Sequence, residues 1–85
     1  MTLQGNRALR ILDHASANHY AIPAMCCYNL EGILATVRAA EAKRSAAMIQ
    51  LFPWAIHYAD GLLVHAAASA ARKATVPITV HMDHA

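Results

Sequence analysis

Short apolar runs alternate with helical patterns along this chain, and that alternation constrains the fold more than any other feature. The helical patterns span about residues 6–17, 29–44 and 61–74, and the apolar runs span 21–27, 46–51 and 78–82. Strands that alternate with helices of this length form right-handed βαβ units and a parallel sheet. The continuous apolar runs are typical of parallel strands covered on both faces. The sequence therefore predicts an α/β fold built on a βαβαβ core.

The middle helix has the clearest predicted boundaries. Asn29 is a predicted N-cap, and Glu31 follows in the first turn, where the helix dipole favours negative charge. Lys43 and Arg44 complement the C-terminal end. The predicted apolar stripe of this helix is Leu30, Ile33, Leu34, Val37 and Ala40. Residues 55–60 are predicted to be a loop or a short helix.

Composition bounds the class of protein. The 85 residues support at most one small domain, and 58% are hydrophobic while only 14% are charged. Average globular chains carry roughly 25% charged residues, so this composition is typical of the interior of a larger fold. The net charge of +2 is small, and the Lys and Arg residues are scattered, which favours solvated faces over a nucleic-acid surface. No apolar run approaches the ~18–20 residues that span a bilayer, so no membrane partner is expected.

The adjacent cysteines and the lack of glycine-rich turns after the predicted strands restrict the class of protein further. Cys26 and Cys27 are adjacent, and a disulfide between strand neighbours would be strained, so we expect buried thiols in a reducing cytoplasm. No glycine-rich dinucleotide fingerprint or P-loop follows any predicted strand. Nucleotide-binding folds of those two kinds therefore lose their main support.

The last predicted strand delivers a carboxylate and an imidazole at its C-terminal end, as Asp83 and His84. In parallel α/β folds the C-terminal ends of strands carry the chemistry. One interpretation is proton transfer by Asp83 beside a metal-binding His84; the other is a turn-forming Asp83 and an exposed His84. Strand alternation places the two on opposite faces unless the strand bends. His81 shares the Asp83 face and is predicted as a core histidine rather than a ligand.

The remaining polar and aromatic candidates carry weaker signals. No spacing relates the other four histidines, which are predicted at or near the surface: His14, His19, His57 and His65. Met25 and Met48 are predicted to fill the core. Phe52 and Trp54 flank Pro53 after the second strand, where they wall a pocket or cover the rim of the sheet. Spacing alone does not choose between those two roles.

Three stretches give the chain a family resemblance, in order and at family-like spacing: Tyr20–Met25 with Asn29-Leu30-Glu31, Lys43–Ser45 with Met48–Gln50, and Val76–His84. Together they resemble the opening strands of class II, metal-dependent ketose-bisphosphate aldolases, the fructose- and tagatose-bisphosphate enzymes. The resemblance implies a TIM (β/α)8 barrel, of which residues 1–85 would supply an N-terminal βαβαβ segment with about three of the eight strands.

The resemblance also implies chemistry. Asp83 would be the general acid/base acting at the C4 oxygen, and His84 would be one of three histidines that hold zinc. The expected partners are a phosphorylated ketose and dihydroxyacetone phosphate, released together with glyceraldehyde 3-phosphate. Where Cys26 stands the family commonly has Asn, and at Phe52-Pro53-Trp54 it has a small hydroxyl residue, a small residue and Gly. Phe52 cannot donate a hydrogen bond to substrate phosphate, so the choice of sugar bisphosphate stays open.

Length sets the last expectation. A (β/α)8 barrel takes roughly 250 residues, and a catalytic zinc keeps about three protein ligands. We therefore expect the 85-residue chain to be inactive by itself. An open barrel segment also leaves two strand edges and an apolar face exposed, so we expect the chain to form a homo-oligomer. The alternative is a non-catalytic product, either a truncated relic or an interaction fragment.

Overall fold

The computed structural model describes residues 5–84 as a small three-stranded sheet with its two crossover helices packed on one face. The elements in chain order are α1 (Arg7–Ala17), β1 (Ala24–Cys26), α2 (Leu30–Ala42), β2 (Ala47–Leu51), α3 (Pro53–Tyr58), α4 (Leu62–Lys73) and β3 (Ile78–Met82). The three strands are parallel in the order β1-β2-β3. The predicted α/β class and βαβαβ order are confirmed. The predicted domain also includes residues 1–4 and 85, which lie outside the described part.

The core lies between β2 and two helices. Side chains that alternate along β2 point into it, and Ile49 and Leu51 are almost completely buried there. Ile33 of α2 and Ala67 of α4 are fully buried in the same cluster. Because both crossover helices pack on one face and contact each other, the sheet and its helices form two layers.

The opposite face of the sheet is largely open within residues 5–84. The register places Cys26, Gln50 and His81 side by side in one row, where Gln50 is half-buried and the other two are exposed. Thr79, near the start of β3, is buried on this face, close to where Arg7 of α1 donates to the Ile78 carbonyl at 3.0 Å. The expectation of strands covered on both faces is therefore wrong for this part of the chain.

Several residues that were predicted to be buried are exposed because they lie on edge strands of the sheet. Met25 is 50% exposed because β1 is an edge strand, and Cys26 beside it is also exposed, whereas Cys27 is buried. The prediction of a core histidine at His81 is wrong for the same reason, since β3 is the other edge strand. On α4, Leu62 is 71% exposed, and the side chains that this helix buries are Leu63, Ala67 and Ala71.

The predicted element boundaries hold closely, with two differences. β1 is shorter than the predicted run of residues 21–27, because Pro23 and its neighbours lie before the paired segment. Of the loop or short helix predicted for residues 55–60, the structure has the short helix, α3, but it begins earlier, at Pro53. Proline suits the first helical position because the amide there has no intrahelical acceptor. Within residues 5–84 the longest helix is 13 residues, and none is long and apolar enough to cross a bilayer.

Three helices end through a residue in the left-handed conformation, and none of these residues is glycine. They are His19 (φ 59°), Arg44 (φ 50°) and Asp60 (φ 53°). In each case the next amide donates to a carbonyl five residues earlier, at 3.0 Å: Tyr20 to Ala15, Ser45 to Ala40 and Gly61 to Ile56. This pattern satisfies the last carbonyls of each helix. A residue with a Cβ costs about 1–2 kcal/mol in this conformation.

Asn29 is confirmed as the N-cap of α2, because its Oδ1 accepts the Gly32 amide at 2.8 Å. We predict that Asn29→Ala lowers the free energy of unfolding by about 1 kcal/mol, since that amide loses its partner. Asn29→Asp keeps an acceptor and is expected to leave stability nearly unchanged. Urea unfolding followed by circular dichroism measures both variants. Equal losses in the two would contradict the capping role.

The open edges predict self-association. Val80 and Met82 on edge strand β3 are 37% and 51% exposed, and an unpaired apolar edge is a template for pairing with another chain. We expect light scattering to show an apparent mass that rises with concentration. Val80→Lys is expected to shift the chain toward monomer, while Leu62→Lys, on a helix outside the sheet, should not. A monomer at all concentrations would contradict this prediction.

Candidate functional site

Asp83 is held at the C-terminal edge of the sheet by its backbone and its side chain. β3 ends at Met82, and the Asp83 amide donates to the Leu51 carbonyl at 2.7 Å, which extends the pairing with β2 by one residue. The Asp83 carboxylate accepts a hydrogen bond at Oδ2 from Nε2 of Gln50, at 3.1 Å. The carboxylate therefore stands over the end of β2 with one oxygen fixed.

His84 lies beside Asp83 because the chain bends there. Its backbone is left-handed, with φ at 57°, so strand alternation stops at Met82. Nε2 of His84 is 3.4 Å from Oδ2 of Asp83. The His84 side chain is 78% exposed and that of Asp83 is 29% exposed. The structure thus brings together the two predicted site residues that regular alternation would have separated.

Gln50 is the site residue that sequence reasoning missed. It is half-buried on the open face of β2, and its Nε2 lies 3.1 Å from Oδ2 of Asp83 and 3.6 Å from Sγ of Cys26. One carboxamide therefore links the ends of all three strands. A polar residue inside the otherwise apolar strand Ala47–Leu51 was the available signal.

The positions that depart from the family pattern lie at the same edge. Phe52 follows β2, is partly buried against the core, and packs edge-on against Tyr28, with ring centroids 5.3 Å apart. Trp54 is 75% exposed. Spacing left two roles open for Phe52, a pocket wall or a cover over the rim of the sheet, and its packing against Tyr28 and the core favours the cover. The thiol of Cys27 points away from the row of Cys26 and contacts the Thr36 hydroxyl at 3.5 Å.

The described residues do not complete a metal site. All six histidines are exposed, and no three His, Cys, Asp or Glu side chains within residues 5–84 converge on one point. His84 offers one accessible imidazole with a carboxylate beside it, whereas a catalytic zinc site uses about three protein ligands. His14, His19, His57 and His65 lie at the surface, as predicted.

Comparison with known proteins decides the family. The profile of the class-II fructose-bisphosphate aldolases matches residues 6–85. The chain belongs to that family. A Coccidioides immitis (strain RS) protein provisionally named fructose-bisphosphate aldolase is 67% identical over 84 residues, covering 99% of this chain and 28% of that protein.

Solved structures agree with the family assignment. A crystal structure of a Coccidioides immitis protein, provisionally named a fructose-1,6-bisphosphate aldolase, matches with a TM-score of 0.94 and 67% identity, covering 98% of this chain and 31% of that one. The Escherichia coli K12 YdjI aldolase matches with a TM-score of 0.83 and 30% identity, covering 93% and 30%. The chain therefore spans less than a third of the length of these relatives.

The contact between Gln50 and Asp83 predicts a measurable coupling. We expect a double-mutant cycle of Gln50→Leu and Asp83→Ala to give an interaction energy of about 1 kcal/mol in urea unfolding at neutral pH. The matched cycle combines Gln50→Leu with Asp60→Ala, a carboxylate in the turn between α3 and α4, and should give additivity. Additivity in both cycles would show that the hydrogen bond contributes nothing to stability.

Proposed function

We propose that this chain is the N-terminal part of a zinc-dependent class II aldolase. The reaction is the reversible aldol cleavage of a ketose 1,6-bisphosphate, fructose- or tagatose-bisphosphate, to dihydroxyacetone phosphate and glyceraldehyde 3-phosphate. The observation that carries the proposal is the placement of Asp83 and His84 together at the C-terminal edge of a parallel sheet. Family membership over residues 6–85 supports it.

Asp83 is proposed as the group that moves the proton at the C4 oxygen. Its Oδ2 is committed to Gln50 and lies near His84, which leaves Oδ1 to take or give the proton. A carboxylate whose orientation is fixed loses little entropy when it meets the substrate hydroxyl. Gln50 thereby positions the proposed catalytic residue without touching the reacting atoms.

His84 is proposed as one metal ligand. It is 78% exposed, so its ring can turn from the Asp83 carboxylate toward an ion. Two further histidines, outside this chain, would complete the three ligands of a catalytic zinc. When bound, zinc supplies Lewis-acid polarisation of the ketose carbonyl. The described residues by themselves do not hold the ion, so the isolated chain is proposed to be inactive.

The proposed setting is a (β/α)8 barrel in which residues 1–85 form a partial domain. The open row of Cys26, Gln50 and His81 would then face the barrel interior, and the edges of β1 and β3 would pair with further strands. Free thiols at Cys26 and Cys27 suit a cytoplasmic location. If the chain stays outside such a barrel, the same open face supports the alternative of a non-catalytic interaction fragment.

A chimera tests the catalytic roles. This chain would replace the matched N-terminal segment of the Coccidioides immitis relative, which is 67% identical to it. We expect zinc-dependent cleavage of fructose or tagatose bisphosphate by the chimera. Asp83→Ala is expected to lower kcat about 10²–10⁴-fold with zinc content retained, because only proton transfer is lost. His84→Ala is expected to lose the zinc, measured by elemental analysis.

His65→Ala is the matched control, since His65 is exposed on α4 and the site does not include it. It should change neither turnover nor zinc content. Normal turnover by the Asp83→Ala chimera would overturn the role of Asp83, and full zinc content in the His84→Ala chimera would overturn the role of His84. Aldolase activity in the isolated 85-residue chain would overturn its proposed inactivity.

A further inference from the structure

A cavity of about 690 Å³ lies at the opposite end of the sheet from Asp83. It is open to solvent and is bordered by α1, the turn between α2 and β2, and the segment between α4 and β3. Four arginines line it: Arg7, Arg10, Arg44 and Arg72. We propose that this cavity, defined here as the arginine cavity, binds a small phosphorylated molecule.

The fold gathers cations that are far apart in the sequence. Arg7 and Arg10 lie three residues apart on α1, and His14 follows one helical turn later on the same side. Arg44 comes from the turn after α2, and Arg72 comes from the last turn of α4. All four are exposed, as the sequence predicts, but their spacing in the sequence does not show that they line one cavity.

The arginine cavity has little opposing charge. The chain has five Asp and Glu residues, and none of them lines the cavity. Within residues 5–84 none of the four arginines forms an ion pair at 4.0 Å or less. Glu41 is the acidic group at the rim, and its Oε2 already accepts both the amide and the hydroxyl of Thr75, at 2.8 and 3.1 Å. The guanidinium groups are exposed, so a dissolved anion can reach them.

Arg44 occupies a position where its backbone is strained. It follows the end of α2 with φ at 50°, the left-handed conformation that glycine adopts without cost. Its amide donates to the Glu41 carbonyl at 3.1 Å, so the helix termination uses the backbone of residue 44 and not its side chain. Stability alone would favour glycine here, whereas arginine adds a cation to the cavity wall.

Further hydrogen-bond donors complete the lining. The Tyr20 hydroxyl and Nδ1 of His14 are 2.6 Å apart, and Tyr20 is placed by the left-handed turn at His19. When the phenol donates to Nδ1, Nε2 of His14 carries the hydrogen and is left as a donor. Arg7 uses one Nη1 hydrogen on the Ile78 carbonyl and keeps its other donors. The wall therefore offers several N–H groups around one space.

The lining of the arginine cavity favours a ligand that carries phosphate groups. Planar guanidinium groups form paired hydrogen bonds with phosphate oxygens, and several of them together match a group with more than one negative charge. The cavity volume lies in the range of about 300–1,000 Å³ that small molecules occupy. The site lies beyond the N-terminal end of five-residue strand β3, a strand's length of roughly 16 Å from Asp83, so it is separate from the proposed active site.

The experiment titrates the full 85-residue chain with inorganic pyrophosphate by calorimetry and by ³¹P NMR. We expect saturable binding that weakens as salt rises, because exposed charges are screened. The double variant Arg10→Gln with Arg72→Gln is expected to bind at least about tenfold more weakly, since each arginine contributes charge-assisted hydrogen bonds. Fructose bisphosphate and sulfate are titrated in parallel. Tighter binding of fructose bisphosphate than of sulfate supports a phosphorylated ligand, and equal binding of the two would overturn it.

The matched control is Arg38→Gln with Lys73→Gln, which removes the same net charge from exposed residues that do not line the cavity. It should change affinity by less than about twofold. An equal loss in the control pair would show diffuse attraction and overturn the proposal. So would the absence of saturation up to about 10 mM pyrophosphate.

Arg44→Gly separates ligand binding from folding. Relief of the left-handed strain is expected to raise the urea midpoint of unfolding, while loss of the cation is expected to weaken pyrophosphate binding severalfold. Opposite signs for stability and affinity support a ligand role for the arginine side chain. Unchanged affinity in this stabilised variant would overturn the assignment of Arg44 to the site.

Discussion

The structure depends on burying β2 between two neighbouring strands and under two crossover helices. Ile49 and Leu51 project from β2 into the space where Ile33 of α2 and Ala67 of α4 meet. Small side chains on α4 let that helix lie close to the sheet, and the parallel arrangement requires both crossovers to have the same hand. The order β1-β2-β3 and the placement of both helices on one face follow from this packing.

Parallel pairing gives the two ends of the sheet different chemistry. At the C-terminal edge the strands end together, so Gln50 meets the carboxylate that follows β3 and the thiol that ends β1. At the N-terminal edge the ends of α1, α2 and α4 come together and bring arginines with them. The parallel topology therefore has two consequences. It places a carboxylate and an imidazole at the C-terminal edge of the sheet and a basic cavity at the N-terminal edge.

The local conformation at helix and strand ends decides where functional side chains lie. His84 reaches Asp83 because a left-handed residue replaces the next step of the strand. Arg44 is itself a left-handed residue, just after the end of α2, and its side chain lines the arginine cavity. Each position has a Cβ and so costs more than glycine would, and each side chain lies at a polar site.

The sequence alone determined the alternation of helices and strands, the cap at Asn29, and the identity of the residues that end β3. Those signals are local, because periodicity, capping and strand ends depend on residues a few positions apart. The family resemblance also came from contiguous motifs. The tertiary structure decided the burial of Met25, Cys26 and His81, because exposure on an edge strand depends on which strands are paired. It also decided the hydrogen bond from Gln50 to Asp83 and the convergence of the arginines, since these contacts join residues that only the folded chain brings together.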